Sequence, residues 1–186
     1  MGVDLSDAEL MRRVRDGEVG RLGLLFERHH RRLYNFFLRS TGEPGASEDL
    51  VQEVFVRMLK YGRTFRDEGE FLPWMYTLAR NAATDGHRRS ARHPSAPEPA
   101  AERASDDPLA SDNLLAGERE RRVRRALRRL PPERREVLLL SKFQQLRYEE
   151  IASTLGCSVG AVKVRVHRAL KELAELLRRD GEETMA

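Results

Sequence analysis

Residues 148–170 read YEEIASTLGCSVGAVKVRVHRAL, and this stretch decides the fold of the second half of the chain. Ile151 and Leu155 lie four residues apart, on one face of a helix. Gly156 supplies a sharp turn, and Ser158 is placed to cap a second helix. The combination predicts a helix, a short turn and a second helix, which is the helix-turn-helix arrangement.

The second helix of this motif has an apolar side and a charged side. The apolar side is predicted to hold Val162, Val166, Ala169 and Leu170. The side chains that project elsewhere are mostly basic: Lys163, Arg165, His167 and Arg168. DNA-reading helices enter the major groove with such a face. The alternative is a plain helical hairpin with a charged outer face, because short helix-turn-helix patterns often occur without DNA binding.

Charge is distributed unevenly along the 186 residues. The chain has 34 basic and 30 acidic residues, and only four of the basic ones are lysines. Residues 1–92 carry a net charge of +2, residues 93–118 carry −5, and residues 119–180 carry +9. A basic block of this kind indicates a nucleic-acid partner, although a solvated basic helix surface has the same composition.

The single cysteine, Cys157, excludes an internal disulfide, and the common zinc spacings are missing. We expect no metal and no cofactor, and Cys157 is either a small packing residue or a redox-sensitive thiol. Residues 1–13 lack an apolar run of signal-peptide length, and no stretch approaches the ~18 apolar residues of a membrane span. These features predict a cytoplasmic protein with no direct membrane association.

Proline and small or acidic residues dominate residues 93–117. Pro94, Pro97, Pro99 and Pro108 block a continuous helix, and large apolar side chains are too few to order the segment. The sequence therefore predicts a helical domain at residues 1–92, a flexible linker at 93–117, a helix-turn-helix domain at 118–180 and a tail at 181–186.

Helical spacing of apolar residues runs through the first domain, and no strand pattern is present. Helices are expected at 8–15, 22–38, 47–61 and 71–89, the third one capped by Ser47. Its buried stripe is predicted to consist of Leu50, Val54, Phe55, Met58 and Leu59. In the second domain, helices are expected at 119–130, 133–142, 148–155 and 159–177. The fold class is all-α.

Four segments together resemble bacterial RNA polymerase sigma factors. They are DLVQEVF at 49–55, FLPWMYTLARN at 71–81, LPPER at 130–134, and the helix-turn-helix at 148–170. The order of the two modules, the short linker and the absence of a central domain resemble the extracytoplasmic-function (ECF) group. The resemblance implies a protein that binds core RNA polymerase and directs promoter-specific transcription initiation, with promoter DNA and an anti-sigma factor as further partners.

The resemblance also assigns roles to individual residues. Contact with the clamp coiled coil of the largest polymerase subunit falls to Asp49, Gln52 and Glu53. Recognition and opening of the minus-ten element falls to Arg66, Phe71, Trp74, Tyr76, Arg80, Asn81, Arg88 and Arg89. Some of these aromatic residues must instead belong to the core, since they lie at helical spacing. Recognition of the minus-thirty-five element falls to Ser158, Lys163, Val164, Arg165, His167 and Arg168.

Val164 departs from the family pattern, because many members have a serine between the two basic residues. Valine cannot donate a hydrogen bond, but its methyl groups can contact a thymine methyl. The base preference of the minus-thirty-five helix is therefore expected to differ from the common one.

Two other classes of function stay open on the sequence alone. One is a sigma-like adaptor that binds an anti-sigma factor without directing initiation. The other is a free-standing helix-turn-helix regulator, for which the polymerase-facing helix would have no use. An enzyme acting on a small-molecule substrate is not expected, because no nucleophile, base and orienting group recur at a familiar spacing.

Overall fold

The computed structural model describes residues 5–92 and 114–183, and these residues form α-helices and turns with no β-strand. The N-terminal domain contains α1 (Asp7–Arg15), α2 (Leu22–Thr41), α3 (Pro44–Tyr61) and α4 (Phe71–Arg92). The C-terminal domain contains α5 (Leu114–Arg129), α6 (Pro132–Leu138), α7 (Tyr148–Leu155) and α8 (Val159–Glu183). The all-α prediction is confirmed. Most of the predicted linker lies outside the described residues, and its last four positions, 114–117, already belong to α5.

The junction between α2 and α3 differs from the prediction. Gly42 ends α2 with a left-handed φ of 80°, and α3 begins at Pro44, three residues before the predicted cap. Proline suits this first position, because its missing N–H would have no helical partner there. Ser47 is fully buried inside α3, and its hydroxyl donates to the Glu43 carbonyl at 2.6 Å. The prediction that Ser47 caps α3 is therefore wrong.

The core of the N-terminal domain lies between α2, α3 and α4. Its largest fully buried side chains include Leu25, Leu33, Phe37, Met58, Met75 and Tyr76. The predicted stripe of α3 is correct at Val54, Phe55 and Met58, but Val51 is buried and Leu59 is 46% exposed. The buried arc of α3 therefore keeps the predicted centre but is narrower, since Leu50 and Leu59 at its two edges are half-buried and exposed.

The C-terminal domain packs α6 and α7 against α8. Residues Val137 to Leu140 are all buried, and the chain continues from α6 into a π-helical turn at Leu139–Phe143 instead of one regular helix. Gly156 joins α7 to α8 with a left-handed φ of 62°, as the turn requires. Ile151, Val162, Val166 and Ala169 are buried, which confirms the helix-turn-helix core. Leu170, predicted to be buried, is 38% exposed.

The two domains also pack against each other. Helix α2 contacts α5, α6 and the π-helical turn, and α4 contacts α7. Gln144, which directly follows the π-helical turn, is only 3% exposed at this contact. The helix-turn-helix therefore lies against the helix that carries the predicted minus-ten residues.

Candidate nucleic-acid and protein interfaces

Helix α8 presents a basic face to solvent. Ser158 accepts a hydrogen bond from the Ala161 N–H at 3.2 Å, so it caps α8 as predicted. The predicted contact residues on α8 are all exposed: Lys163, Val164, Arg165, His167 and Arg168. The structure therefore brings the whole predicted set together on the surface, with Ser158 at its beginning.

Val164 lies at the centre of this face. At about 100° per residue, it is almost opposite the buried side formed by Val162, Val166 and Ala169. Lys163 and Arg165 lie nearer the two edges of the exposed side. Val164 is 49% exposed. An apolar side chain at the centre of a basic face suits contact with the base edges, while its basic neighbours suit the phosphates.

The outer face of α3 contains two of the three predicted polymerase contacts. Asp49 and Gln52 are exposed. Glu53 instead forms an ion pair with Arg57 at 2.7 Å, and Arg57 bonds Asp85 on α4 at 2.8 Å. Burial lowers the pKa of Arg57, but its bonds to these two carboxylates outweigh that effect and raise the pKa. Arg57 therefore connects α3 to α4, and Glu53 holds the Arg57 guanidinium in place, a role that the sequence did not indicate.

Apolar side chains extend the same face of α3. Val56 is 56% exposed and Leu59 is 46% exposed, and both lie at helical spacing from Gln52. Phe26 on the adjacent helix α2 is 42% exposed, stacks on His30 with a centroid distance of 4.8 Å, and packs against Phe55. Contiguous exposed apolar residues mark interaction surfaces. The sequence did not indicate this surface, because Leu59 was predicted to belong to the buried stripe of α3.

Trp74 separates two grooves on the N-terminal domain. One groove, of about 620 Å³, is lined by the loop that contains Arg66 and by Thr77. The other, of about 630 Å³, lies between α3 and α4 and is lined by Asn81 and Arg88. Trp74 is half-buried, and its indole N–H donates to the Thr64 hydroxyl at 3.0 Å. The predicted residues Arg66, Trp74, Asn81 and Arg88 thus share one surface, to which the structure adds Thr64 and Thr77.

Phe71 and Tyr76 are not on that surface. Phe71 is 5% exposed and packs near Phe65 and Trp74, while Tyr76 is 0% exposed. The Tyr76 hydroxyl bonds the Gln144 side chain at 2.7 Å, and burial raises its pKa. In this arrangement neither ring is accessible to a base. Both rings belong to the core, which is the alternative that their helical spacing had also allowed.

Arg80 is occupied by the C-terminal domain. Its Nε donates to the Glu136 carboxylate at 2.6 Å, and its terminal nitrogen donates to the Thr154 carbonyl at 3.1 Å. Asn81 and Arg88 are exposed on the same helix. Arg89 lies on α4 as predicted, but its side chain falls outside the described part of the structure.

The described residues contain no candidate metal site and no candidate membrane-spanning helix. Among residues 5–92 and 114–183, no three His, Cys, Asp or Glu side chains converge in a way that could hold a metal ion. None of the described helices is both long and apolar enough to cross a membrane. The adjacent histidines His29 and His30 bond other groups. The Nε2 atom of buried His29 bonds the Asp7 carboxylate, and the Nδ1 atom of His30 bonds the Phe26 carbonyl.

Comparison with known proteins finds two family models that match this chain. Residues 25–93 match the family Sigma-70 region 2, and residues 120–173 match Sigma-70, region 4. The chain is 36% identical over 169 residues to the RNA polymerase sigma factor CarQ of Myxococcus xanthus, covering 90% of this chain and 95% of that protein. It is 30% identical to the ECF RNA polymerase sigma factor SigM of Mycobacterium tuberculosis, covering 92% and 85% of the two chains.

Among solved structures, CnrH in complex with the cytosolic domain of CnrY superposes with a TM-score of 0.71 and 27% identity. The match covers 94% of this chain and 98% of that one. The sigma factor RpoE of Bartonella quintana, in complex with the anti-sigma factor NepR, has the same fold at a TM-score of 0.68 and 24% identity. That match covers 84% of this chain and 96% of RpoE.

The helix-turn-helix among the described helices, together with the two matched sigma-70 regions, defines a DNA-binding subunit of the transcription apparatus. The chain belongs to the RNA polymerase sigma factors, and within them to the extracytoplasmic-function group. It binds core RNA polymerase and directs initiation at promoters.

Proposed function

We propose that this sigma factor divides its work between three surfaces: α3 with Phe26 for core polymerase, the surface around Trp74 for the minus-ten element, and α8 for the minus-thirty-five element. The observation that carries the proposal is the contrast between the acidic and apolar face of α3 and the basic face of α8. One face suits a protein partner and the other suits phosphates. The chain acts without catalysis of its own and works in the cytoplasm.

Docking on polymerase uses Asp49 and Gln52, which offer an acidic and an amide group to a basic coiled coil. Val56, Leu59 and Phe26 supply the apolar area that such an interface needs at its centre. Glu53 contributes by fixing Arg57 and Asp85, so that α3 keeps its orientation on α4.

At the minus-ten element, Trp74 is the aromatic platform on which an unstacked base can lie, and the two adjacent grooves offer space for the strand. Arg66, Asn81, Arg88 and Arg89 hold the backbone, and Arg80 joins them once it is free. Phe71 and Tyr76 act by supporting Trp74 and α4 from the core. At the minus-thirty-five element, α8 enters the major groove with Val164 toward the bases.

An anti-sigma factor is the expected regulatory partner, because the similar structures of CnrH and of RpoE were obtained with partners of their own. Two alternatives are an adaptor that binds such a factor without initiating, and a free-standing regulator. Neither alternative needs a polymerase-facing surface on α3, so a functional surface of that kind would favour a sigma factor over both.

The test is charge reversal at Asp49, measured as affinity for core polymerase without DNA. Asp49→Lys is expected to weaken core binding at least about tenfold, because it places like charges against a basic partner surface. Its side chain is exposed, so the thermal unfolding midpoint is expected to stay unchanged. Glu53 is unsuitable for this test because it holds Arg57.

Glu175→Lys, on the exposed side of α8, makes the same change in charge away from the docking face and serves as the control. Equal core affinity of both variants and of the wild type would contradict docking through Asp49. Weaker binding together with a lowered unfolding midpoint would show that Asp49 is structural.

A further inference from the structure

The loop that joins α3 to α4 carries Arg66 and leads into the helix that carries Trp74. It begins with one turn of 3-10 helix at Gly62–Thr64, and the Gly69 N–H donates to the Arg66 carbonyl at 3.0 Å. The Arg66 side chain is exposed. Ordering such a surface loop costs conformational entropy, so contacts from a neighbouring element are needed to hold it in one conformation.

Helix α1 supplies two arginines to this loop. The Arg12 guanidinium donates to the Asp67 carbonyl at 2.8 Å. The Arg15 guanidinium donates to the Phe65 carbonyl at 3.2 Å. Phe65 and Asp67 are the residues on either side of Arg66 in the chain. The two arginines therefore hold the backbone immediately before and immediately after a residue that is assigned to the minus-ten element.

Arg15 is itself held by two carboxylates. Its Nη1 lies 2.7 Å from the Asp67 carboxylate, and its Nε lies 2.9 Å from the Asp16 carboxylate. A planar guanidinium that bonds one carbonyl and two carboxylates has few orientations left. Packing adds to these bonds, because Met11 is fully buried and a Cβ at Gly62 would lie 3.2 Å from its methyl group. Helix α1 thus contacts the loop through both packing and directional hydrogen bonds.

The loop in turn supports Trp74. The Phe65 ring is 1% exposed and packs against the indole with a centroid distance of 5.2 Å. The Thr64 hydroxyl accepts the indole N–H at 3.0 Å. Because both contacts of the indole come from the loop, a displacement of the loop backbone changes the surroundings of Trp74 as well as the position of Arg66.

We propose that Arg12 and Arg15 are positioning residues for minus-ten recognition, which hold the loop so that Arg66 and Trp74 meet the unstacked strand together. The inference rests on the proposed function of the surface around Trp74. It extends the promoter-reading part of the chain to α1, which precedes the residues 25–93 that match Sigma-70 region 2. A loop that is ordered before binding loses less entropy on the DNA, so side chains that do not touch a base still contribute to base discrimination.

The decisive variant is Arg12→Ala with Arg15→Ala, which removes both contacts to the loop and keeps good helix formers in α1. Arg13→Ala with Arg21→Ala is the matched control, because it makes the same change in charge at two arginines that pair with Glu18. Circular dichroism checks that α1 stays helical. The single variant Arg12→Ala leaves the Arg15 contacts in place and makes the same test with a smaller expected effect.

Two readouts use the full chain. Trp74 is the only tryptophan, so the emission of the free protein reports the loop directly. In the decisive variant the emission is expected to move to longer wavelength and acrylamide quenching to increase, while the control keeps the wild-type values. Promoter selection with core polymerase is the second readout. The base preference at the minus-ten element is expected to fall about fivefold, the size of about one net hydrogen bond, with the minus-thirty-five preference unchanged.

Wild-type emission and a wild-type minus-ten profile in the decisive variant would overturn the inference. Wild-type emission with equally weaker binding to every sequence, and a salt dependence reduced by about one phosphate contact per arginine, would overturn it in favour of direct phosphate contact. Trp74→Ala tests the proposed function separately. An unchanged minus-ten profile in Trp74→Ala would overturn that function and the inference with it, whereas a change in Trp74→Ala alone would overturn only the positioning role.

Discussion

Val164 is the residue at which this chain is expected to read DNA differently from many of its relatives. Val164→Ser replaces a methyl contact with a hydroxyl, so the preferred base should change at one position of the minus-thirty-five element while the minus-ten preference stays the same. Promoter selection from a randomised library with core polymerase measures both. Leu170→Ser, also exposed on α8 but away from the centre of the face, is the control. An identical selected profile for Val164→Ser would reject base contact by Val164.

His29 links α1 to α2 and makes stability depend on pH. Its Nε2 bonds Asp7 at 2.7 Å, and its Nδ1 is buried without a partner in the described ranges. Burial lowers its pKa below the ordinary 6.5, against the opposing effect of Asp7. The unfolded chain therefore takes up a proton first as the pH falls.

The contribution of neutral His29 is complete above about pH 6.5 and is lost as the pH falls toward the lower folded-state pKa. The unfolding midpoint should therefore decrease between about pH 7.5 and 5.5, and the decrease should be smaller in His29→Gln, which can still donate to Asp7. Midpoints at several pH values in this range measure the effect. The same slope in both proteins would show that another group titrates.

Individual residues also show where sequence patterns stop being informative. The basic residues of α8 and the cap at Ser158 could be predicted, because their positions depend only on local helix geometry. The role of Glu53 could not, since it holds Arg57, whose second partner Asp85 lies 28 positions further along the chain on another helix. Phe71, Trp74 and Tyr76 lie within six residues of α4, but only Trp74 is partly exposed, which the packing of α4 decides.

At the scale of the elements, the turn between α7 and α8 depends on one backbone conformation. Gly156→Ala forces an L-residue into the left-handed region, which costs about 1–2 kcal/mol, although no neighbouring atom would clash with the new methyl group. Gly160→Ala, in the first turn of α8, is the control and should stabilise by about 0.5–1 kcal/mol. Chemical denaturation followed by circular dichroism measures both. Equal stability of the two variants would contradict a required left-handed turn.

The sequence predicted which helices exist better than it predicted where each helix begins. Periodic apolar residues located the eight α-helices of the described ranges, but α3 begins three residues earlier than its apparent cap because Pro44 provides a better start. The π-helical turn at Leu139–Phe143 has no sequence signature in the apolar run of 137–140. It directly precedes Gln144, whose side chain bonds Arg32 and Tyr76 of the other domain.

For the whole molecule, composition predicted two helical domains but not their contact. Charge and periodicity show which faces are apolar or basic, and they do not show which element covers them. Gln144 and Tyr76 are 68 positions apart, and neither stands out in the sequence as a contact residue. The placement of the helix-turn-helix on α4 therefore had to come from the structure.

The packing of the two domains leaves the outer faces of α3 and α8 exposed while it occupies Arg80. Any ligand that binds the Arg80 guanidinium through the same two nitrogens has to displace the Glu136 carboxylate and the Thr154 carbonyl first. The exposed side chains of α3 and α8 carry no such requirement, because they already point to solvent.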